Sequence, residues 1–288
     1  MEPKASIILS LAGLRLEICG EHLSVGILHI EGFPVFVVSK SHVDKRVVED
    51  STLQGLSFHI DGGFPILNGA LTTTFGRDEE GRICYSFGDL CWLAYNPQNP
   101  DEVRLSSCHD LYVMRFALWV ATGLLGVTCG VVPVHSSVVV CQGRAVMCLG
   151  ESGTGKSTHT KLWQETFDDV MLLNDDCPLV AVRGTDVWVY GSPWSGKTPC
   201  YVNAGYPLAA MGRIRQAKHN LIRRLSTIEA IAAVMPSCPP SLQKESQMLD
   251  EVASFVGGVV KNVPIYMLDC LPDADAAHVC RDVVFAQV

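Results

Sequence analysis

The eight residues Gly150-Glu151-Ser152-Gly153-Thr154-Gly155-Lys156-Ser157 constrain this chain more than any other stretch. They match G-x-x-x-x-G-K-[ST] without a mismatch, the pattern of a loop that cradles phosphates. The flanks suit it. Ala145 to Leu149 is a short apolar run that predicts a buried strand. Thr158 to Phe167 predicts a helix, with Trp163 and Phe167 four apart on one face. In the order strand, glycine loop, helix, loop N–H groups turn inward and the helix N-terminus adds positive potential. The candidate phosphate-binding residues are therefore Gly150, Ser152, Gly153, Thr154, Gly155, Lys156, Ser157 and Thr158. Lys156 would reach the β- and γ-phosphates of ATP or another nucleoside triphosphate, and Ser157 would offer its hydroxyl to Mg²⁺.

About twenty residues after the loop lysine, Val170-Met171-Leu172-Leu173 leads into Asn174-Asp175-Asp176. Carboxylates at the end of a buried strand beside a phosphate loop hold a metal or orient the attacking group. Upstream, His135 to Cys141 and Ala145 to Leu149 are separated only by a short turn at Gln142-Gly143, so they are antiparallel neighbours. That hairpin departs from the parallel sheet that feeds an ordinary phosphate loop. It also puts His135 at the far end of the partner strand, where residues alone leave structural and functional roles both open. A second hairpin, Leu179 to Arg183 and Val187 to Tyr190, delivers Gly191-Ser192-Pro193-Trp194-Ser195-Gly196-Lys197-Thr198. This segment reads equally as a loop closing over phosphates, with Lys197 as a second cation, or as a surface loop with a packed tryptophan.

The 288-residue chain is 48% hydrophobic and 18% charged, enough for one large core or two ordinary ones. A net charge of −8 and no basic stripe exclude nucleic acid as the main partner. Twelve cysteines form no C-x-x-C pair; Cys129, Cys141 and Cys148 sit in apolar runs and read as small buried hydrophobes of a reducing, cytoplasmic compartment. Ile7 to Leu14 follows Lys4 like a signal core, but Arg15 and Glu17 come at once. Phe116 to Val134 is nineteen residues without a charge. Its glycines and Pro133 predict a buried helix, a turn and a strand rather than a membrane span.

Residues 1 to about 105 predict a β-rich domain. Leu14 to Ile18 and part of Val35 to Ser39 alternate, and turns are expected at Asp61-Gly62-Gly63, Asn68-Gly69, Glu80-Gly81, Asn96-Pro97 and Asn99-Pro100. His22, His29, His42 and His59 are scattered and read as surface or structural residues. The expected boundary gives a 1–105 domain and a 106–288 phosphate-loop domain. In the latter, Ser226 to Glu229 is a capping box. A helix from about Leu242 would bury Leu249, Val252, Val256 and Val259, and Pro264 to Leu268 would be a strand. Asp273 would cap a last helix. Arg213, Arg215, Lys218, Arg223 and Arg224 read as a solvated helix face.

These motifs resemble the HPr kinase/phosphorylase family and its relative phosphoenolpyruvate carboxykinase, chiefly over His135 to Lys197. His135-Ser136 is similar to the family's His-Gly, and Asn174-Asp175-Asp176 to its Ala-Asp-Asp. Gly191 to Lys197 matches the Gly-Ser-Pro-Trp-Ser-Gly-Lys of a bacterial HPr-kinase-like group. The resemblance implies an α/β fold: a phosphate-loop nucleotide-binding domain with a mixed sheet, preceded here by the smaller β-rich domain. It implies ATP- and Mg²⁺-dependent phosphoryl transfer to a hydroxyl on a small protein, a peptide or a metabolite. Carried over, Asp175 is the base, Asp176 with Ser157 the metal partner, His135 a supporting residue, and self-association is implied. The family's glycine-rich HPr-binding signature is missing, so HPr itself is not implied. A nucleotide-binding regulatory module with little turnover stays open, as does carboxykinase-like use of phosphoenolpyruvate.

Overall fold

The computed structural model describes residues 5–39, 42–66, 69–243 and 245–286. The chain divides into two units, Met1–Cys129 and Gly130–Val288. Each is a mixed α/β body built on one large sheet.

Among the described residues of the first unit, nine strands run in the spatial order Val37–Val38, Ser6–Leu11, Leu14–Cys19, Lys45–Glu49, Glu102–Leu105, Cys91–Tyr95, Ile83–Phe87, Leu71–Arg77, His59–Ile66. The alternation in Leu14–Cys19 puts Leu16 and Ile18 in the core. Helix Leu111–Val127, capped by Asp110 on the N–H groups of Tyr112 and Val113, packs on Cys91–Tyr95 and Glu102–Leu105. Its buried face belongs to this sheet, and the division therefore falls after it instead of near residue 105. Among the described residues no helix is long and apolar enough to cross a membrane.

Several local expectations are corrected here. Asp61-Gly62-Gly63 is not a turn; it lies inside strand His59–Ile66, at a bulge after Ile60. Gly62 serves close approach, because a Cβ there would meet the Phe75 ring at 2.8 Å. Pro34 starts a 3₁₀ turn, Phe33–Phe36, leaving only Val37–Val38 as strand. Cys129 is exposed at the end of the helix, whereas Cys141 and Cys148 are buried, and the cysteines are free thiols. Lys4 and the Asn68 turn lie outside the described residues.

In the second unit the strands run Val131–Pro133, Leu179–Arg183, Asp186–Tyr190, Gly205–Gln216, Arg144–Leu149, Ser136–Cys141, Val170–Asp176. Ile265–Cys270 adds to the far half of Gly205–Gln216, and Leu221–Arg224 adds to Ile265–Cys270. The loop strand Arg144–Leu149 is antiparallel to Ser136–Cys141 and parallel to Gly205–Gln216, so the sheet is mixed at its centre. The hairpin turn has Gln142 at φ 54° and Gly143 at φ 70°, the left-handed pair that matches strand twist. Helices Lys156–Thr166 and Ala274–Phe285 pack together over a core of Trp163, Phe167, Cys148, Tyr266 and Cys280. Trp163 is fully buried, and truncating such a residue costs about 3–5 kcal/mol.

The Ser226–Glu229 capping box and the Asp273 cap are present. The helix expected from Leu242 is two helices, Pro240–Gln243 and Ser246–Asn262, restarted by the Glu245 cap. Val252, Val256 and Val259 are buried, but Leu249 is 40% exposed and Met248 and Phe255 take its place. The basic group is not a helix face. Arg213, Arg215, Arg223 and Arg224 stand on strands, because buried Leu208 to Met211 make Gly205–Gln216 a central strand.

Candidate functional site

The glycine loop ends the buried strand Arg144–Leu149 and opens helix Lys156–Thr166. Gly153 has φ 82° and Gly155, the N-cap, has φ 106°, values that an L side chain rarely adopts. A Cβ at either position would meet nothing within 4 Å, so glycine is needed there for backbone conformation alone. The Lys156 ammonium folds back and donates to the carbonyls of Gly150, at 2.9 Å, and Glu151, at 3.1 Å. Its residue is only 8% exposed. Burial pushes its pKa down, against the attraction of Asp176, Asp175 and Glu151.

The acidic pair reaches the loop through the sheet. Strand Val170–Asp176 pairs with Ser136–Cys141 so that Ser137 faces Asp175 and Ser136 faces Asp176. The Ser157 hydroxyl donates to Asp175 Oδ1 at 2.8 Å. Asp175 is 4% exposed. His135, one residue before the paired Ser136, has Nε2 3.5 Å from Asp176 Oδ1. Burial and the Lys156 charge push the His135 pKa down, with Asp176, Glu151 and Asp175 pulling it up. Asp176 has φ 140°, a conformation that costs about 1–3 kcal/mol and is held by pairing on both sides, to Ser136 and to Ser195.

Segment Gly191 to Thr198 is stitched to that pair. Gly196 N–H donates to the Asp175 carbonyl at 2.5 Å, and Ser195 Oγ bonds the Thr198 carbonyl at 2.6 Å. A Cβ on Gly196 would lie 3.1 Å from both Asp175 O and Asp176 Cβ, so glycine permits the close approach. Asn174 is the residue the sequence pattern left without a role. Fully buried, it donates to the carbonyls of Ser192 and Trp194, at 3.3 and 3.2 Å, and accepts from Cys177 N–H at 2.9 Å. Ser192 Oγ, equally buried, completes the knot on Cys177 O at 2.6 Å. The only advance signal for Asn174 was an amide placed between four apolar residues and two acids.

These elements converge on a cleft of about 330 Å³. The loop contributes Ser152, Gly153, Gly155, Lys156, Ser157 and Thr158; the facing wall contributes His135, Asp175, Asp176, Gly196 and Lys197. Gly150 and Thr154 do not line it. Gly150 holds Lys156 through its carbonyl, and Thr154 Oγ1 bonds Glu151 O at 2.8 Å. Lys197 is exposed on the rim and makes no ion pair among the described residues. Arg213 pairs with Glu151 at 2.7 Å, and Arg215 grips Asp269 with two bonds of 2.6 Å.

Among the described residues no cluster of three or more His, Cys, Asp or Glu side chains forms a metal cage. Ser157, Asp175 and Asp176 on one cleft still fit Mg²⁺, which binds through one or two carboxylates plus substrate phosphates and keeps water ligands.

No family model matches the chain, and no curated protein matches it. Among solved structures, the HPr(Ser) kinase/phosphatase from Coxiella burnetii aligns with 54% of this chain and 97% of its own, at 13% identity and a TM-score of 0.32. A likeness that loose transfers neither fold nor activity to this chain.

Proposed function

We propose that this chain is an ATP- and Mg²⁺-dependent phosphotransferase that acts on a hydroxyl group, on a protein or peptide serine. One observation carries the reading: a glycine loop with a buried lysine faces two carboxylates across a single cleft. Phosphoryl transfer needs positioning and charge stabilisation more than covalent chemistry, and these groups supply both. A bound Mg²⁺ would neutralise phosphate charge, held by Ser157 and Asp176.

Loop N–H groups and Lys156 bind the phosphates. Asp175 has Oδ1 engaged by Ser157, which turns the carboxylate and leaves Oδ2 to take the acceptor proton. Asp176, paired with His135, supports the metal and keeps the imidazole turned toward the cleft. Lys197, on the rim, is a second cation for the transferred group. The Gly196 N–H bond to the Asp175 carbonyl and the Asp176–Ser195 pairing tie this wall to the acidic pair.

Replacing Asp175 with Asn tests the reading. The amide keeps an acceptor for Ser157 but cannot take a proton. ATP binding should stay within a few-fold while phosphate release to water or to serine peptides falls about 10²–10⁴-fold. Binding of Mg·ATP with no release or transfer by the wild type would instead make the chain a nucleotide-binding regulatory module. Carboxykinase-like chemistry would show as phosphoenolpyruvate-dependent nucleotide phosphorylation.

A further inference from the structure

The first unit holds a polar cleft of about 310 Å³. Its floor is Ala94, 2% exposed on strand Cys91–Tyr95, which faces Cys84 on one neighbouring strand and Arg104 on the other. A methyl group there leaves space between longer side chains. Around it stand Glu80 and Arg82 before strand Ile83–Phe87, Asn96 and Asn99 in the turn after Cys91–Tyr95, and Glu102 and Arg104 on strand Glu102–Leu105.

We propose that this cleft binds a small zwitterion, a free α-amino acid, with its carboxylate on Arg82 and Arg104 and its ammonium on Glu80 and Glu102. The site does not depend on the phosphotransfer reading above and adds a second ligand to it.

The way Arg82 is held supports it. Asp78, its side chain only 6% exposed, accepts from Arg82 Nε at 2.6 Å and from the backbone N–H groups of Arg82 and Glu80 at 2.9 and 3.1 Å. This buried carboxylate fixes the plane of the guanidinium. Among the described residues Nη1 and Nη2 make no hydrogen bond, so the forked end that grips carboxylates is left over. Arg215 in the second unit shows the other use of the group, with Nε and Nη2 together on Asp269. Arg104 gives Nε to Glu102 and Nη1 to Asp50, each at 3.0 Å, and keeps Nη2. The charges then decide the ligand class. Two arginines and two glutamates line the cleft, so neither a bare anion nor a bare cation gains net attraction. A molecule with a carboxylate and an ammonium on one carbon matches both signs. Asn96 Oδ1 accepts from Gln98 N–H at 3.0 Å, and its Nδ2, without a partner among the described residues, adds a neutral donor. No aromatic side chain lines the cleft among the described residues, so a sugar ring finds no face to stack on.

The test is calorimetry of the full chain with each standard L-amino acid in turn. At least one should bind. The α-amide and the N-acetyl derivative of the tightest binder each lose one charge, and each should bind about tenfold more weakly or worse. Arg82→Gln should weaken the free amino acid by about the same factor. That variant leaves Asp78 without its cation, so Glu102→Gln is the second one: it keeps an oxygen for Arg104 Nε, removes the charge that meets the ammonium, and should also cost about tenfold. Three results would overturn the proposal: no amino acid binds the wild type, the uncharged derivatives bind as tightly as the parent, or Glu102→Gln keeps wild-type affinity and so places the bound molecule elsewhere.

Discussion

Replacing Lys156 with Met separates a binding lysine from a structural one, because the two roles predict opposite results. In the free protein the ammonium makes two bonds, to Gly150 O and Glu151 O. Removing it strips a donor from the buried Gly150 carbonyl, at about 1–3 kcal/mol. Removal also relieves a burial penalty, since the folded state lowers this lysine's pKa. That penalty is fully present at neutral pH and disappears only as pH rises from the folded pKa toward the ordinary 10.5. The two effects oppose, so the free variant should melt within a few degrees of the wild type. Ligand binding is different. A charge-assisted bond to phosphate contributes about 1.5–3 kcal/mol, and losing one to two of them raises the Kd about a hundredfold. With Mg·ATP at a hundred times the wild-type Kd, mass action stabilises the wild type by about 2.7 kcal/mol and the variant by about 0.4 kcal/mol. At about 2–4 °C per kcal/mol, the wild-type melting temperature should rise about 5–10 °C and the variant's about 1 °C. Differential scanning fluorimetry reads both. A Lys156→Met protein whose ATP-induced shift equals the wild type's would refute the reasoning.

Asn174→Leu should destabilise the second unit by about 2–4 kcal/mol, because Cys177 N–H and the Ser192 hydroxyl lose buried partners, and chemical denaturation measures it. Gly196→Ala should push its segment off the acidic pair by a few tenths of an ångström, cutting turnover while leaving ATP affinity unchanged in a filter-binding assay. His135, with a folded pKa below its ordinary 6.5, is disfavoured only when protonated; stability should fall as pH drops from 6.5 through the folded value. His135→Asn should flatten that part of the urea-midpoint profile between pH 5 and 7.5. A variant profile as steep as the wild type's would place the titration elsewhere.

Much of the second unit was legible locally. The strand, glycine loop and helix at 145–166, the hairpin turn at Gln142-Gly143, and the capping box at Ser226 each depend on neighbouring residues, whose turn geometry and helix ends short-range physics dictates. Where long-range packing outweighed local preference, the pattern misled. Gly62-Gly63 looks like a turn, yet pairing across to Phe75 draws it into a strand. Arg213 to Arg224 look like a helix face until the parallel neighbours on either side of Gly205–Gln216 are known.

The site divides the same way. By itself the chain of residues determined which groups stand as candidates for a phosphate site, Lys156, Ser157 and the loop glycines with the acidic pair Asp175 and Asp176, because spacing and side-chain chemistry are properties of the covalent order. Only the folded sheet decided how they meet. The register that sets Ser136 against Asp176 brings His135 to the carboxylate, and the Asn174 network brings Gly196 and Lys197 to the rim, across gaps of tens of residues. Pairing register and buried polar contacts are settled by the sum of many distant interactions, and no window of sequence contains that sum.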